Sequence, residues 1–387
     1  MNSMDNKVYA VRCTDYAQAD EKLGLLLDMM GGMGRFAREG ETLALKANLL
    51  ESIAPDRAVT THPSVVAAVA TQTAKAGAKA VILDSPGGGH WQNSPAALEK
   101  LYNVTGMAEA ARQSGAVLNY DMSREQRSFP QGELVRSFEV LSAPFQADGI
   151  LNLCKLKTHM FMMMTGAVKN TFGLIPGLAK AGCHTRFQSK EQFAHMLLDL
   201  CALAAPRLSV MDAVVAMEGE GPGASGTPRP VGLLLASENP LALDVVAGAI
   251  MGLSKANNPL LLAAEQRGLG PVDLDQVELI GLDKAELPVP GYKLPPAPKG
   301  NMVGLPAVLN PFVDLTRRAL SATPRVREAC VGCGICAASC PVKAITVKNR
   351  RARIDTGKCI RCYCCHELCP HKAVELHTGA LSRLLRG

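Results

Sequence analysis

The sequence predicts an α/β protein, a largely parallel-sheet domain followed by a small C-terminal α+β domain organised by cysteines. Three observations predict it. Apolar β-like runs alternate with helical patterns between residues 42 and 282, which implies a parallel sheet covered by helices. Prolines then crowd residues 288–311, a density that supports neither a regular helix nor a central strand. Beyond them C-x2-C-x2-C-x3-C-P is written twice, at Cys330, Cys333, Cys336, Cys340 and Pro341 and again at Cys359, Cys362, Cys365, Cys369 and Pro370.

In chain order, buried strands are expected at residues 42–46, 80–83, 116–118, 149–153, 208–211 and 232–236, with a last strand-like segment at 277–282. Helical patterns cover 63–75, 96–113, 191–204 and 241–251. Pro63 and Pro240 stand in the first turn of their helices, where a missing N–H costs nothing. The expected domains are therefore 1–285 (α/β), 286–325 (a Pro-rich linker with one short amphipathic helix at 312–320), 326–378 (cysteine domain) and 379–387 (a tail).

The cysteine spacing points to iron–sulfur chemistry. A [4Fe–4S] cubane needs four thiolates on a short, turn-rich backbone, and in two-cluster ferredoxins the fourth cysteine of each run ligates the other cluster. The expected sets are Cys330, Cys333 and Cys336 with Cys369, and Cys359, Cys362 and Cys365 with Cys340. Structural zinc is the competing reading, weakened because zinc ribbons use C-x2-C pairs without a third ligand two residues on. Gly332, Gly334 and Ile335 let amides turn toward inorganic sulfur, and P-x-x-A-[IV] after each run supplies apolar cover. Cys364 is out of register and is expected to be a bystander, a slipped ligand set being the alternative. Cys13, Cys154, Cys183 and Cys201 lie in apolar contexts and are expected to be buried structural thiols. Thirteen cysteines in a cytosolic-looking chain fit metal binding better than disulfides.

Composition narrows the setting. At 387 residues with 48% hydrophobic and 4% aromatic residues, the chain can bury a large core of Ala, Val, Leu and Met. The start, MNSMDNKVYAVRC, has no basic segment leading into an apolar one, and no run reaches the roughly 18 apolar residues of a membrane span. A cytoplasmic protein without a membrane span is expected. Residues 324–387 carry 12 Lys and Arg against 4 Asp and Glu, whereas the rest carries 29 against 31. The module is therefore +8 and the remainder −2. Lys348, Arg350, Arg351 and Arg353 cluster between the cysteine runs, where they would dock an acidic redox partner. Nucleic acid is not an expected partner, since no aromatic interleaving or recognition motif accompanies the charge.

Function in open α/β sheets sits at the carboxyl ends of strands. One strand runs out into Lys46-Ala47-Asn48, another into Asp84-Ser85-Pro86-Gly87-Gly88-Gly89-His90, and the fourth into Lys155-Leu156-Lys157-Thr158-His159. Gly87 and Gly88 would let backbone approach a ligand or present amides to an anion. The turn matches neither a P-loop nor G-x-G-x-x-G, so an ordinary surface turn is the other reading. Lys155, Lys157, His159, Thr165, Lys169 and Asn170 are the densest polar set in an apolar stretch that includes Phe161 and three methionines. Lysine and histidine there would hold a carboxylate or phosphate and move protons. His184 and His195 read as packing residues. Residues 218–228 are expected to be a loop, serving as a lid or a plain turn.

LALKANLL, VTTHPSVV, ILDSPGG, KLKTH…GAVKNTFGLIPG, MDAVVAMEGEGP and LASENPLALDVVAG follow one another across residues 7–282. Through these blocks the upper domain resembles the domain-of-unknown-function 362 family, in which a C-terminal double ferredoxin is a common companion. The resemblance implies Lys46, Asn48, Thr61, His62, Asp84, Lys155, Lys157, His159, Lys169, Asn170, Asp212, Glu218 and Asp244 as site positions and brings no substrate. Ala47 stands where the family leads one to expect proline, which changes only local rigidity.

The functional expectation is an iron–sulfur oxidoreductase in which two [4Fe–4S] clusters relay electrons to or from an anionic small-molecule site. Lys157, His159 and Lys169 are its catalytic candidates. Lys46, Asn48, His62, Asp84, Gly87, Gly88, Lys155, Asn170, Asp212 and Glu218 are the binding candidates. No flavin or nicotinamide motif is visible. The alternatives are a non-catalytic electron carrier or adaptor for a partner redox enzyme, and a metal or cofactor maturation factor. Anaerobically purified protein should contain about eight irons and about eight sulfides and give an EPR signal after dithionite reduction. Zinc without sulfide would remove the cluster assignment.

Overall fold

The computed structural model describes residues 5–87, 94–295 and 322–377. Gly88, Gly89, His90, the expected helix at 312–320 and the tail from 379 lie outside the described residues. Strands β1 (Lys7–Arg12), β2 (Thr42–Lys46), β3 (Lys79–Leu83) and β4 (Val117–Leu118) come first, then a side hairpin of β5 (Arg124–Ser128) and β6 (Ser137–Leu141). β7 (Gly149–His159), β8 (Met163–Thr165), β9 (Leu208–Gly219), β10 (Gly226–Ser237) and β11 (Glu278–Ile280) complete the upper domain. The helices are α1 (Ala19–Met29), α2 (Pro63–Lys75), α3 (Pro95–Val104), α4 (Met107–Ser114), α5 (Ala143–Gln146), α6 (Ala167–Asn170), α7 (Gly177–Arg186), α8 (Lys190–Ala204), α9 (Pro240–Met251) and α10 (Pro259–Gln266).

Among the described residues the main sheet runs β11-β1-β10-β9-β7-β2-β3-β4, with β8 added to β7. Only β10 and β8 run against the others, so the sheet is largely parallel, as the apolar runs imply. Helices cover both faces. Leu23 and Leu26 of α1, Val65 and Val69 of α2 and Leu101 of α3 pack with Leu43, Leu45, Leu151 and Leu153 on one side. Phe193 and Leu197 of α8 and Leu241 and Val246 of α9 pack with Cys154, Leu156, Met211 and Leu235 on the other. Alternate residues of β7 thus feed opposite cores. Cys13, Cys154 and Cys201 are buried within these cores as expected, while Cys183 is only partly covered.

Several elements differ from expectation. The single helix at 96–113 is two, because the chain turns at Gly106 with φ 77° and a Cβ there would lie 2.9 Å from Pro63. β7 does not stop at residue 153 but carries its polar residues to His159, since Lys155 and Lys157 find buried partners. β9 and β10 form one long antiparallel pair from Gly219↔Gly226 to Ser209↔Ser237. The loop expected at 218–228 therefore shrinks to 220–225, and Glu218 and Pro228 are strand residues.

The linker expected at 286–325 loses both ends. Leu287 is fully buried, Val289 N–H donates to Ile250 at 3.0 Å, and the Tyr292 hydroxyl donates to the Met217 carbonyl at 2.7 Å. These residues belong to the α/β domain, held by side-chain anchors that proline does not prevent. At the other end β12 (Thr323–Val326) pairs with β15 (Val374–His377) inside the cysteine module. There β13 (Ile345–Lys348) and β14 (Arg351–Ile354) make a hairpin. The two cysteine runs are pseudo-equivalent: Lys343 and Lys372, each three residues after a fourth cysteine, adopt φ 49° and 50°. No described helix is long and apolar enough to cross a membrane.

The buried Asp199 of α8 fastens the side hairpin to this frame. Its carboxylate accepts from the N–H groups of Glu133, Leu134 and Val135 at 3.1, 2.9 and 2.8 Å and pairs with Arg267 at 2.7 Å. Asp199→Ala leaves three amides without their acceptor and Arg267 with only Glu133 and the His195 carbonyl, and should lower the unfolding free energy by about 3 kcal/mol in denaturant titration.

Candidate functional site at the junction of sheet and cysteine module

The order of the parallel strands reverses between β2 and β7. From β2 the chain winds outward through β3 to β4, then returns to the other side of β2 and winds through β7 to β9. Such a switch point opens a crevice at the carboxyl ends of its two strands. β2 ends there at Lys46, and β7 continues beyond its partner, bearing Lys155, Lys157 and His159 at two-residue spacing.

One buried charge at this end is matched directly. Lys46 Nζ lies 2.8 Å from Asp84 Oδ1, with side chains 1% and 4% exposed, while Asp84 Oδ2 accepts the Leu49 amide at 2.6 Å. Asn170 joins the two strands, donating to Asn152 Oδ1 at 2.8 Å and accepting from Asn48 Nδ2 at 3.0 Å. Thr61 receives the Asn48 amide at 3.0 Å and donates to the Leu153 carbonyl at 2.8 Å. Lys157 Nζ donates to Asn48 Oδ1 and the Val59 carbonyl, both at 2.7 Å. These acceptors are neutral, and burial pushes the Lys157 ammonium down to about 7, with repulsion from Lys169 adding to it. Asp244 places α6 by accepting the Ala167 and Val168 amides at 2.5 and 3.1 Å. Burial raises its carboxyl to about 7.

A second centre lies beside the first. Lys155 Nζ contacts Asp212 Oδ2 at 2.7 Å and the Tyr16 hydroxyl at 2.9 Å, and that hydroxyl donates to Asp212 Oδ1 at 3.0 Å. The His62 amide also donates to Asp212, at 2.9 Å. The His62 ring stacks on Tyr16 at 3.5 Å, its Nδ1 capping α2 through Ser64. Burial holds His62 neutral, at about 4. Every charged group here has a partner, so this centre supports the sheet.

The cysteine module closes the crevice. Residues 363–369 are all buried, and Glu367 Oε1 stands 3.5 Å from His159 Nε2. The amides of Phe161 and Met162 donate to His159 Nδ1 at 3.1 and 3.2 Å, which places the ring proton on Nε2, facing Glu367. Burial keeps His159 neutral, its pKa well below the usual value. Burial lifts Glu367 to about 7, against the pull of Lys169 and Lys157. Its Oε1 has no hydrogen-bond partner among the described residues. Lys169, pushed down to about 8 by burial, has its ammonium 5.7 Å from the Phe172 ring centre and forms no ion pair among the described residues. The short 220–225 loop is wedged into the junction: a Cβ on Gly223 would lie 2.1 Å from the Glu367 carbonyl oxygen, and Ala224 donates to Glu51 at 3.2 Å.

Sequence reasoning is corrected at two positions. Gly87 is no anion cradle, because its amide donates to the Leu50 carbonyl at 2.8 Å. The glycine is needed because Leu368 of the module would lie 2.8 Å from any Cβ there. Glu218 binds the Lys293 amide at 3.0 Å and faces Arg229, anchoring the 287–295 segment. Residues the sequence did not single out also converge: Glu51, Glu367, Asn152, Tyr16 and Lys180, which donates to the carbonyls of Ser85 and Pro86. Cys-x-x-Cys-adjacent Glu367 was the one with a signal, an acidic residue inside a basic, cysteine-ruled module.

The four cysteines of one expected set share a recess. It is lined by Cys330, Cys333, Cys336 and Cys369, and the charges of the other three act on Cys336. Burial raises the Cys365 thiol, and Cys362, Cys359 and Cys340 of its expected set act on it together with Cys336. Amides of Ala344, Ala373, Ala352 and Arg361 donate to the sulfurs of Cys340, Cys369, Cys330 and Cys359 at 3.2, 3.2, 3.4 and 3.4 Å. Four thiols per set with inward amides fit a cubane cluster. Cys364 is hydrogen-bonded to Cys362, and that bond and burial hold its thiol well above the usual range.

The depressed lysines have a signed consequence. The unfolded chain holds these protons up to 10.5, whereas folded Lys157 releases its proton near 7, so the unfolded state binds more protons in between. Stability should rise with pH across that window. Thermal melts of anaerobic protein should show this rise, and Lys157→Met should flatten it.

Residues 43–249 match the family model described as Domain of unknown function (DUF362), and residues 324–370 match a 4Fe-4S dicluster domain. The chain is 35% identical over 292 residues to the Thylakoid-associated protein sll1697 of Synechocystis sp., covering 74% of this chain and 86% of that protein. Among solved structures, the lactate racemase apoprotein from Thermoanaerobacterium thermosaccharolyticum aligns at 12% identity and TM-score 0.40, over 65% of this chain and 58% of that one. That likeness is too slight to carry an argument. On the family match and the cyanobacterial relative, the chain belongs to the DUF362 family, with a C-terminal 4Fe-4S dicluster domain.

Proposed function

We propose that this protein is an oxidoreductase in which two [4Fe–4S] clusters relay electrons between a redox partner and an anionic small molecule bound at the junction. One observation carries the reading: Glu367, between the ligand positions Cys365 and Cys369, meets His159 in the switch-point crevice. Bound clusters supply one-electron transfer. Lys169 supports the anion assignment because its ammonium lacks an ion-pair partner among the described residues. Lys157 adds a second positive charge, already oriented by Asn48 and Val59, and His159 Nε2–H adds a neutral donor. Lys157 and Glu367, both near 7, can give up or take protons at neutral pH. The 220–225 loop and the buried 363–369 segment exclude water from the junction. A cytoplasmic setting suits these reduced thiols.

Native mass spectrometry of anaerobic protein tests the reading. A co-purified small anion should be retained, and Lys169→Ala should weaken its binding about 10- to 100-fold, the worth of a charged hydrogen bond, with iron content unchanged. Affinity should fall as pH rises through about 7 to about 8, where Lys157 and Lys169 lose their protons. Iron-loaded protein with no ligand, and electron transfer indifferent to Lys169→Ala, would instead describe a carrier.

A further inference from the structure

The two cysteine sets differ in what surrounds them. The buried 363–369 segment carries one cysteine of each set, Cys365 and Cys369. Cys359, Cys362 and Cys340 of the first set are partly covered, whereas Cys333 of the second is exposed. Beside it the hairpin of β13 and β14 packs close: a Cβ on Gly332 would lie 2.5 Å from the carbonyl carbon of Arg350, and the Ala352 amide donates to Cys330. Asn349 and Arg350 adopt φ 51° and 56°, the left-handed pair of a tight hairpin turn. That turn projects Lys348, Arg350 and Arg351 into solvent, with Arg353 exposed behind them. None of the four forms an ion pair among the described residues. Two large apolar side chains are also exposed in this module, Val331 at 44% and Val347 at 36%. Val331 lines the recess of the exposed set, and Val347 is the direct cross-strand partner of Ala352, which lines it too.

We propose that Val331, Val347 and the basic hairpin form the docking surface for an acidic one-electron carrier protein, which exchanges electrons at the Cys330, Cys333, Cys336 and Cys369 set. An apolar spot at the redox centre allows close approach, and surrounding positive charge steers and orients an acidic face. A carrier fits better than nucleic acid, because the hairpin has no aromatic side chain on which bases would stack. In the transfer proposed, the reduced carrier loses one electron and the cluster gains it; no bond breaks and no proton moves. The inference rests on the module alone and stands whether the α/β domain is catalytic or not.

The test is calorimetric titration of the iron-loaded protein with an acidic ferredoxin in which gallium replaces iron, so that binding is read without turnover. Affinity should fall steeply with added salt, and Arg350→Glu/Arg351→Glu should weaken it at least about tenfold. Val331→Ser should weaken binding without changing the salt dependence. Iron content and circular dichroism confirm that each variant is loaded. Should the double variant lose iron, Lys348→Glu, at the exposed tip, decides by the same readout. Unchanged affinity in these loaded variants, salt-independent binding, or binding of single-stranded DNA in preference to the ferredoxin would each overturn the proposal.

Discussion

Buried ammonium groups at the ends of the central strands are the constraint on which the rest of the structure depends. Lys46, Lys155 and Lys157 are each about 1% exposed or less, and a charge so placed is tolerated only with a partner or a shifted pKa. Asp84 answers Lys46, and Asp212 with Tyr16 answers Lys155. The Asn48–Asn170–Asn152 ladder then ties the loop after β2 to α6 and β7. Lys157 meets only neutral oxygens, and Lys169 meets no carboxylate at hydrogen-bonding distance among the described residues. The sheet is thus balanced on one side of the crevice and short of negative charge on the other.

The cysteine module is built to meet that shortfall. Its segment 363–369 is the part buried against the sheet, and its carboxylate, Glu367, is set among His159, Lys157 and Lys169. The contact is loose by hydrogen-bond standards: among the described residues Glu367 Oε1 has no hydrogen-bond partner, and Lys169 nearby forms no ion pair. A tightly formed buried ion pair would gain stability only through full satisfaction of both groups. Incomplete pairing instead leaves polar capacity at the place where module and sheet meet. The relative position of the two domains and the chemistry of the crevice therefore rest on one set of contacts.

Much of the fold was legible because its parallel strands are continuous apolar runs, as at Thr42–Lys46 and Lys79–Leu83. Legibility failed where pattern and pairing diverge. Pro228, Pro230 and Arg229 disguise the outer half of β10, which is held by its pairing with β9. Lys155 and Lys157 read as the exit of a strand, yet they are inside β7, because Asp212 and Asn48 make burial tolerable. Gly87 does allow close approach, but its missing Cβ makes room for Leu368 and Leu50 rather than for a ligand.

The iron–sulfur character of the module was legible from sequence alone, since three cysteines at two-residue intervals and a fourth before proline form a local pattern, whereas the partner of each fourth cysteine depends on how the two runs fold together. The polar strand ends were likewise visible, because charge following an apolar run is a local pattern. Tertiary structure alone decided which of these residues support the sheet and which face the crevice. Asp212 and Glu218 are alike in sequence, but one neutralises Lys155 and the other anchors the Lys293 backbone. Glu367 and His159 meet only because the module folds back onto the sheet. Contacts between segments so far apart depend on chain topology, which no local spacing encodes.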